Sequence, residues 1–341
     1  MRVLISALAS TVIGTGHTRR MAVLAKELAG QNGVRITFHT TALGRRILRT
    51  VGDDPFHILL ASDDPETAMA KLGGTLAKMR PDLVILDNYF WNSEQEAALK
   101  PFCERLCVVD DLADRSHSAD ILIDQNPNRQ SEDYRGLVPE QTLLLVGAQY
   151  CLLAKPFRTL RSRAFRAPAE RNALRPVFVS LGGGDPNRDI VLLVRSVLAG
   201  TNRPVCVVTG SHIDDAASLT ELATKEPRIE LTFDSTNVAQ QMNNAAYAVA
   251  SGGTMTWERA ILGLPSLSLI AVDNQYEATK WLEAQGAHSV FDLRHGWSEE
   301  DFVNALQTYD RDDALRARQS IASAALIDGK GADRLATTLL K

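Results

Sequence analysis

A repeated unit limits the fold of this chain most strongly: a short apolar run, then a glycine or polar turn, then a helical segment. Such continuous runs of apolar, often β-branched residues are typical of parallel strands that are buried on both faces. In the first half the runs are RVLISAL (2–8), VRITFHT (34–40), DLVILD (82–87), RLCVVDD (105–111), ADILID (119–124) and TLLLVG (142–147). The first half is therefore predicted to be an α/β domain with a parallel sheet.

The alternation stops at an arginine-rich stretch, residues 155–175, and then starts again. This stretch has the composition of an exposed linker or surface helix. The strands that follow are PVFVS, PVCVVTG, IELTF, AYAVAS and PSLSLIA. We predict an N-terminal Rossmann-like domain (1–155), a C-terminal one (172–320) and a helical C-terminal segment (321–341). The fold class is α/β, with the two domains facing each other across a cleft where the carboxyl ends of both sheets bind ligand.

Charge and hydropathy argue against nucleic acid and membrane as binding partners. The 341 residues carry 37 Lys and Arg against 41 Asp and Glu, a net charge of −4, so no basic field favours nucleic acid. No apolar run reaches the ~18 residues of a membrane span. We expect a cytoplasmic monomer without stable membrane association.

The first glycine turn lies in IGTGHTRRMAVLAKELA, residues 13–29. Gly14 and Gly16 allow a ligand to approach the backbone where strand becomes helix, and His17 follows them. A dinucleotide fingerprint would need a third glycine at position 19, which is Arg19. Arg20 lies one turn after His17 and could balance a pyrophosphate. The alternatives are a surface Arg20 and a His17 that only caps the helix or binds phosphate.

The second glycine turn lies in ASGGTMTWERAILG, residues 250–263. A strand ends in Ser251, Gly252 and Gly253, and Thr254 is a candidate N-cap of the helix that follows. Successive backbone N–H groups at such a helix start would hold a phosphate. Glu258 lies one turn later on the same face and could accept from both ribose hydroxyls. The alternative is a tight turn beside a solvent-facing glutamate.

Other strand ends carry polar or glycine clusters. Three glycines in SLGGGDPN (180–187), among them Gly183, suggest close approach of a ligand. Asp87 and Tyr89, with Asn88 between them, lie where a sugar with amide and hydroxyl groups could be gripped. The adjacent Asp110 and Asp111 are metal-ligand candidates, but turn and capping roles are favoured because no further ligand has recognisable spacing.

Recognised signatures of nucleophilic serine, zinc-protease, Walker A or kinase chemistry do not occur in the chain. One well-placed histidine favours general base catalysis on water, and the sequence predicts that His17 is this base. No cofactor and no metal are expected.

Five motifs in order resemble the PseG/SpsG family. They are GTGHTRRMAVLA, VVDDLADRSHSADILIDQN, VSLGGGDPNRD, ASGGTMTWERAILGLPSL and DNQ, and they extend from residue 1 to about 290. The resemblance implies the GT-B fold of the transferase that makes the lipid II disaccharide. It also implies a metal-independent hydrolase of pseudaminic acid biosynthesis and flagellin glycosylation, which converts a UDP-linked 2,4-diacetamido-2,4,6-trideoxy sugar to UDP and the free sugar.

The resemblance also assigns residues. It implies that His17 is catalytic and that Arg20, Tyr89 and Asn274, beside Gln275, contact the substrate. The uridine-diphosphate contacts that it implies are Ser251, Gly252, Gly253, Thr254 and Glu258. A glycosyl diphosphate already has a good leaving group, and water could attack the anomeric carbon or phosphorus. Because the sequence shows no metal-ligand cluster to assist attack on phosphorus, we expect attack on the anomeric carbon. The alternatives are an inverting UDP-sugar glycosyltransferase with an alcohol acceptor and a non-catalytic nucleotide-sugar binding protein.

Overall fold

The computed structural model of the chain describes residues 1–10, 14–50, 56–164, 175–182, 190–211 and 213–341. The chain forms two compact units. The first domain comprises Met1–Leu152 together with Lys330–Lys341, and the second comprises Leu153–Gly329.

The first domain contains a seven-stranded parallel sheet in the order β3-β2-β1-β4-β5-β6-β7. Its strands are β1 (Arg2–Ala7), β2 (Arg35–Thr40), β3 (His57–Leu60), β4 (Leu83–Asp87), β5 (Arg105–Val109), β6 (Ile121–Asp124) and β7 (Leu143–Val146). Its first four helices are α1 (Gly16–Ala29), α2 (Ala42–Thr50), α3 (Pro65–Met79) and α4 (Ser93–Leu99). Strand order reverses between β1 and β4, the position at which open parallel sheets bind ligands.

Burial explains why these segments fold as they do. All residues of β4 are buried, as a strand covered on both faces requires. The apolar stripe of α1 (Met21, Leu24, Ala25 and Leu28) is fully buried on one face of the sheet, as its spacing predicts. Leu72 and Leu76 of α3 pack on the other face.

The second domain contains a six-stranded parallel sheet in the order β10-β9-β8-β11-β12-β13. Its strands are β8 (Val177–Ser180), β9 (Val205–Thr209), β10 (Ile229–Phe233), β11 (Tyr247–Ser251), β12 (Ser266–Ile270) and β13 (Ser289–Asp292). Its helices are α5 (Lys155–Ala164), α6 (Ile190–Gly200), α7 (Ala216–Lys225), α8 (Val238–Asn244), α9 (Met255–Ile261), α10 (Tyr276–Ala284), α11 (Glu299–Arg311) and α12 (Asp313–Leu326). The last helix, α13 (Gly331–Leu339), belongs to the first domain.

The predicted fold class of parallel α/β domains is confirmed, but two strands were missed. β3 and β13 each lie at an edge of a sheet and are only partly buried. Within these two strands the apolar run is short, three residues in HILL and two in SVFD. The other two edge strands, β7 and β10, were predicted from the sequence.

The predicted C-terminal segment and the predicted linker both differ from the structure. Residues 321–341 do not form one segment, because α12 belongs to the second domain while α13 packs on α1 in the first. Gly331 permits this packing: a Cβ there would lie 2.2 Å from the Cys151 carbonyl oxygen. The predicted linker at 155–175 begins as α5, which packs on α8 and α9, and residues 165–174 lie outside the described part.

Among the helices in the described part of the chain, none combines the length and apolar character needed to cross a membrane.

Candidate active site and nucleotide site

The first glycine turn places His17 at the carboxyl end of the first sheet. Gly14 has a φ of +81°, a conformation that glycine adopts without strain, and α1 begins two residues later. Because β1 pairs with β4, Ala7 lies beside Asp87 at this edge. His17 and Asp87, which are 70 residues apart in the chain, are thereby brought together, and both are buried.

Asp87 orients the imidazole of His17. The Nδ1 atom lies 2.6 Å from Asp87 Oδ1 and 3.2 Å from a guanidinium nitrogen of Arg20. The shorter contact to a carboxylate favours a proton on Nδ1 that is donated to Asp87. Nε2 then carries the lone pair that can accept a proton. An aspartate that fixes the tautomer in this way also stabilises the imidazolium that forms when the base is protonated.

Arg20 neutralises the carboxylates around His17. It donates to both oxygens of Asp87 at 2.6 and 2.7 Å and to both oxygens of Asp111 at 2.7 and 2.8 Å. Burial would raise the pKa of Asp87, but Arg20 and His17 together hold it well below its usual range. The proposed contact of Arg20 with a pyrophosphate stays a prediction. In this structure the guanidinium is buried and binds two carboxylates of its own domain.

Tyr89 completes the surroundings of the imidazole. Its ring meets that of His17 edge-on, with centroids 4.7 Å apart, and its hydroxyl donates to Asp111 Oδ2 at 3.0 Å. Burial, and then the charge of Asp111, raise the pKa of Tyr89, so the phenol stays protonated. Tyr89 therefore acts on His17 by packing, and its predicted substrate contact remains a prediction.

A second polar cluster lies at the ends of β5 and β6. Tyr134 Oη lies 3.0 Å from Asp110 Oδ2 and 2.8 Å from Asp124 Oδ2. A phenol has one hydrogen, so it can donate to only one of these carboxyl groups. Burial, and then the charge of Asp111, raise the pKa of Asp124 to about 7. A protonated Asp124 that donates to Tyr134, which donates to the ionised Asp110, satisfies both contacts.

The metal alternative for Asp110 and Asp111 has no support in these contacts. Asp110 accepts from the backbone N–H groups of Leu112 and Ala113, while Asp111 binds Arg20. Within the described residues, no group of three or more His, Cys, Asp or Glu side chains has the arrangement of a metal site.

The second glycine turn lies at the carboxyl end of β11, next to the first of the glycines that follow β8. Ser251 Oγ donates to the Leu181 carbonyl at 3.1 Å, and Gly182 has a φ of +87°. Gly252 fits against α10, since a Cβ there would lie 2.2 Å from Thr279 Oγ1. Gly183 lies outside the described residues. The structure thus brings Gly182 and the second glycine turn to the same edge of the sheet.

The remaining predicted nucleotide contacts surround this turn. Thr254 occupies the predicted N-cap position of α9, but its side chain makes no capping hydrogen bond there. Glu258 lies one turn later and is half-buried. Gln275 reaches the turn, with Nε2 4.0 Å from the position of a Cβ on Gly253, while Asn274 is exposed.

Arg259 was not singled out from the sequence. Its guanidinium is fully buried and donates to the Ser251 carbonyl at 3.1 Å and to Thr256 and Ser268 hydroxyls. Burial lowers its pKa to about 10, so the group stays positive at neutral pH. It therefore fixes the backbone of the turn and places a positive charge behind it.

Comparisons with known proteins agree with the motifs. The chain is 24% identical over 286 residues to the UDP-2,4-diacetamido-2,4,6-trideoxy-β-L-altropyranose hydrolase of Campylobacter jejuni, which covers 84% of this chain and 97% of that protein. The predicted resemblance is confirmed. The spore coat polysaccharide biosynthesis protein SpsG of Bacillus subtilis is 26% identical over 212 residues, 60% of each chain. No family model matches the chain.

The fold is also similar to that of solved GT-B enzymes. MurG of Acinetobacter baumannii superposes with a TM-score of 0.65 and 15% identity, covering 99% of both chains. This similarity confirms the predicted GT-B fold class.

Proposed function

We propose that this protein is a UDP-sugar hydrolase that releases UDP and the free sugar, and that its substrate is a UDP-linked 2,4-diacetamido-2,4,6-trideoxy sugar. The observation that carries the proposal is the buried His17–Asp87 pair at the carboxyl edge of the first sheet. The similarity to the Campylobacter jejuni hydrolase over nearly its whole length supports the choice of substrate.

Nε2 of His17 removes a proton from a water molecule in the proposed reaction. The water oxygen forms a bond to the anomeric carbon, while the bond from that carbon to the diphosphate oxygen breaks and its electron pair leaves with UDP. Asp87 stabilises the imidazolium until its proton passes to solvent. A positioned base of this kind contributes roughly 10²–10⁴ in rate.

The second domain binds UDP in this proposal. The Gly252 N–H donates to the Leu269 carbonyl, so the backbone N–H groups of Gly253 and Thr254 contact the diphosphate, and Glu258 accepts from the ribose hydroxyls. The buried Arg259 adds a positive field behind the same turn. Each domain thus supplies one part of the chemistry: the base in the first and the nucleotide contacts in the second.

Hydrolysis in ¹⁸O-labelled water tests the reaction. Attack on the anomeric carbon places the label in the free sugar, and full activity in excess chelator is expected. A label in UDP means attack on phosphorus and contradicts the mechanism. UDP release only when an alcohol acceptor is added identifies a glycosyltransferase. UDP binding without turnover of any UDP-sugar identifies a binding protein.

A further inference from the structure

Arg259 in the second domain carries a buried charge whose hydrogen bonds all go to uncharged acceptors. Within the described residues its guanidinium donates to the Ser251 carbonyl at 3.1 Å, to Thr256 Oγ1 at 3.2 Å and to Ser268 Oγ at 3.1 Å. Nε is buried and has no hydrogen-bond partner in the same part of the chain. The charge of the neighbouring Glu258 offsets the effect of burial only in part, since the pKa of Arg259 is still lowered.

The residues behind Arg259 fix the guanidinium but add no charge. The Ser268 hydroxyl accepts from Arg259, so its own hydrogen is free to donate to His288 Nδ1, which lies 2.9 Å away. A ring nitrogen that accepts carries no proton, so His288 is the neutral tautomer with its hydrogen on Nε2. Burial, and then the charge of Arg259, lower the pKa of His288 well below its ordinary value, which keeps the ring neutral.

A buried cation in such surroundings is costly, because it loses its hydration without gaining a counter-charge in contact. For packing alone, an apolar side chain of similar volume would serve as well or better. An anion that binds near the guanidinium lowers this cost and is itself held more tightly. The charge of Arg259 therefore favours an anionic ligand close to it.

Covalent geometry places the second glycine turn within reach of this charge. Nη1 of Arg259 contacts the Ser251 carbonyl oxygen, and Gly253 follows two residues later, so Nη1 and the Gly253 nitrogen lie at most about 8 Å apart. The N–H groups of Gly253 and Thr254 are those to which the proposed function assigns the diphosphate. Over such a distance a buried charge is screened much less than one in water.

We infer that Arg259 determines specificity for the diphosphate: its charge, without contact, makes this turn select nucleotides by the charge on their phosphates. The inference rests on the proposed function, which places UDP at this turn. Because the interaction is Coulombic, it grows with the charge of the ligand. It is strongest for UDP, weaker for UMP and absent for uridine.

The test measures the dissociation constants of the full chain for UDP, UMP and uridine by calorimetry, with uridine in competition against UDP. Arg259→Met and Arg259→Gln both remove the charge, the first with an apolar side chain and the second with a hydrogen-bonding one, whereas Arg259→Lys retains it. Arg316→Met is the matched control, because Arg316 is also a buried arginine of the second domain but its charge is paired with Asp313. The constants for UDP and uridine are compared within each variant, so a general loss of binding cancels.

Arg259→Met and Arg259→Gln are expected to weaken UDP binding roughly 10-fold and UMP binding by a smaller factor, with uridine binding unchanged. Arg259→Lys and Arg316→Met should keep the wild-type ratio of UDP to uridine. Equal weakening for all three ligands, or no weakening for UDP, overturns the inference, while hydrolysis by the wild type keeps the proposed function. Charge-graded weakening in a protein that hydrolyses no UDP-sugar supports the inference and overturns the hydrolase. A wild type that does not bind UDP overturns both.

Discussion

The carboxyl edges of the two sheets carry different chemistry. In the first domain, His17 and Arg20 lie among Asp87 and Asp111, and each charge is matched by a partner within 2.8 Å. In the second domain, the turn at Gly252 and Gly253 presents backbone, and the buried Arg259 donates to it at the Ser251 carbonyl. A closed ion-pair network holds a base in one geometry. At the turn the Gly252 N–H donates to the Leu269 carbonyl, so an anion there would be bound by the N–H groups of Gly253 and Thr254. We propose that chemistry and nucleotide binding are divided between the domains in this way.

The largest effect is expected from a substitution of Asp87, the partner of His17 in the first domain. In Asp87→Asn the amide oxygen faces Arg20 and the amide N–H faces Nδ1 of His17, which forces the proton onto Nε2 and removes the base. We expect kcat to fall roughly 10²-fold or more. Asp111→Asn is the matched control, because it also binds Arg20 but does not contact His17. Equal losses in both variants would mean that the charge on Arg20, and not the tautomer of His17, matters.

The second domain is tested at Glu258. Removing its carboxylate in Glu258→Ala should weaken UDP binding by about 1.5–3 kcal/mol, since hydrogen bonds to charged groups have this magnitude. Calorimetry with UDP measures the loss. Unchanged affinity would place the ribose elsewhere.

Gly252 and Gly253 are adjacent in the turn but differ in the space around them. Gly252→Ala places a Cβ 2.2 Å from Thr279 Oγ1, and overpacking of this kind costs about 1–3 kcal/mol. The same change at Gly253 leaves the nearest described atom, Gln275 Nε2, 4.0 Å from the new Cβ. Thermal unfolding should therefore show a lower Tm for Gly252→Ala alone. Equal Tm values would mean that α10 moves away from the turn without cost.

The smallest effect concerns pH and the first domain. Because the folded-state pKa of Asp124, about 7, lies above its ordinary value of 3.8, its contribution to stability is complete below 3.8 and is lost as pH rises through 7. Asp124→Asn retains the neutral form and its donor to Tyr134 at every pH. We expect its Tm to exceed that of the wild type by about 2–4 °C at pH 8 and to match it near pH 4. The exposed Asp63→Asn should show no difference, and a gain of equal size at both pH values would contradict the assignment.

The residues of the candidate site that lie together in one short motif were singled out from the sequence. Contacts between residues that are far apart in the chain were not. His17 was identified because glycine, histidine and helix are contiguous in the chain. Asp87 was predicted to contact the sugar, and its role as the partner of His17 was missed because the pairing of β1 with β4 is needed to bring these residues together. Asn88 Nδ2, which is buried without a hydrogen-bond partner among the described residues, is likewise recognised only in the folded chain. Most strands were predicted from their sequences, whereas β3 and β13 were missed because their apolar runs are short.

We propose that His17 is the base and that its removal leaves nucleotide binding intact. His17→Asn retains size and hydrogen bonding but lacks basicity. The most direct measurement determines kcat and the dissociation constant for UDP on the same preparation of this variant. We expect kcat of His17→Asn to fall roughly 10²-fold or more while its UDP affinity stays near that of the wild type. Turnover near the wild-type rate would contradict the proposal and place the base elsewhere.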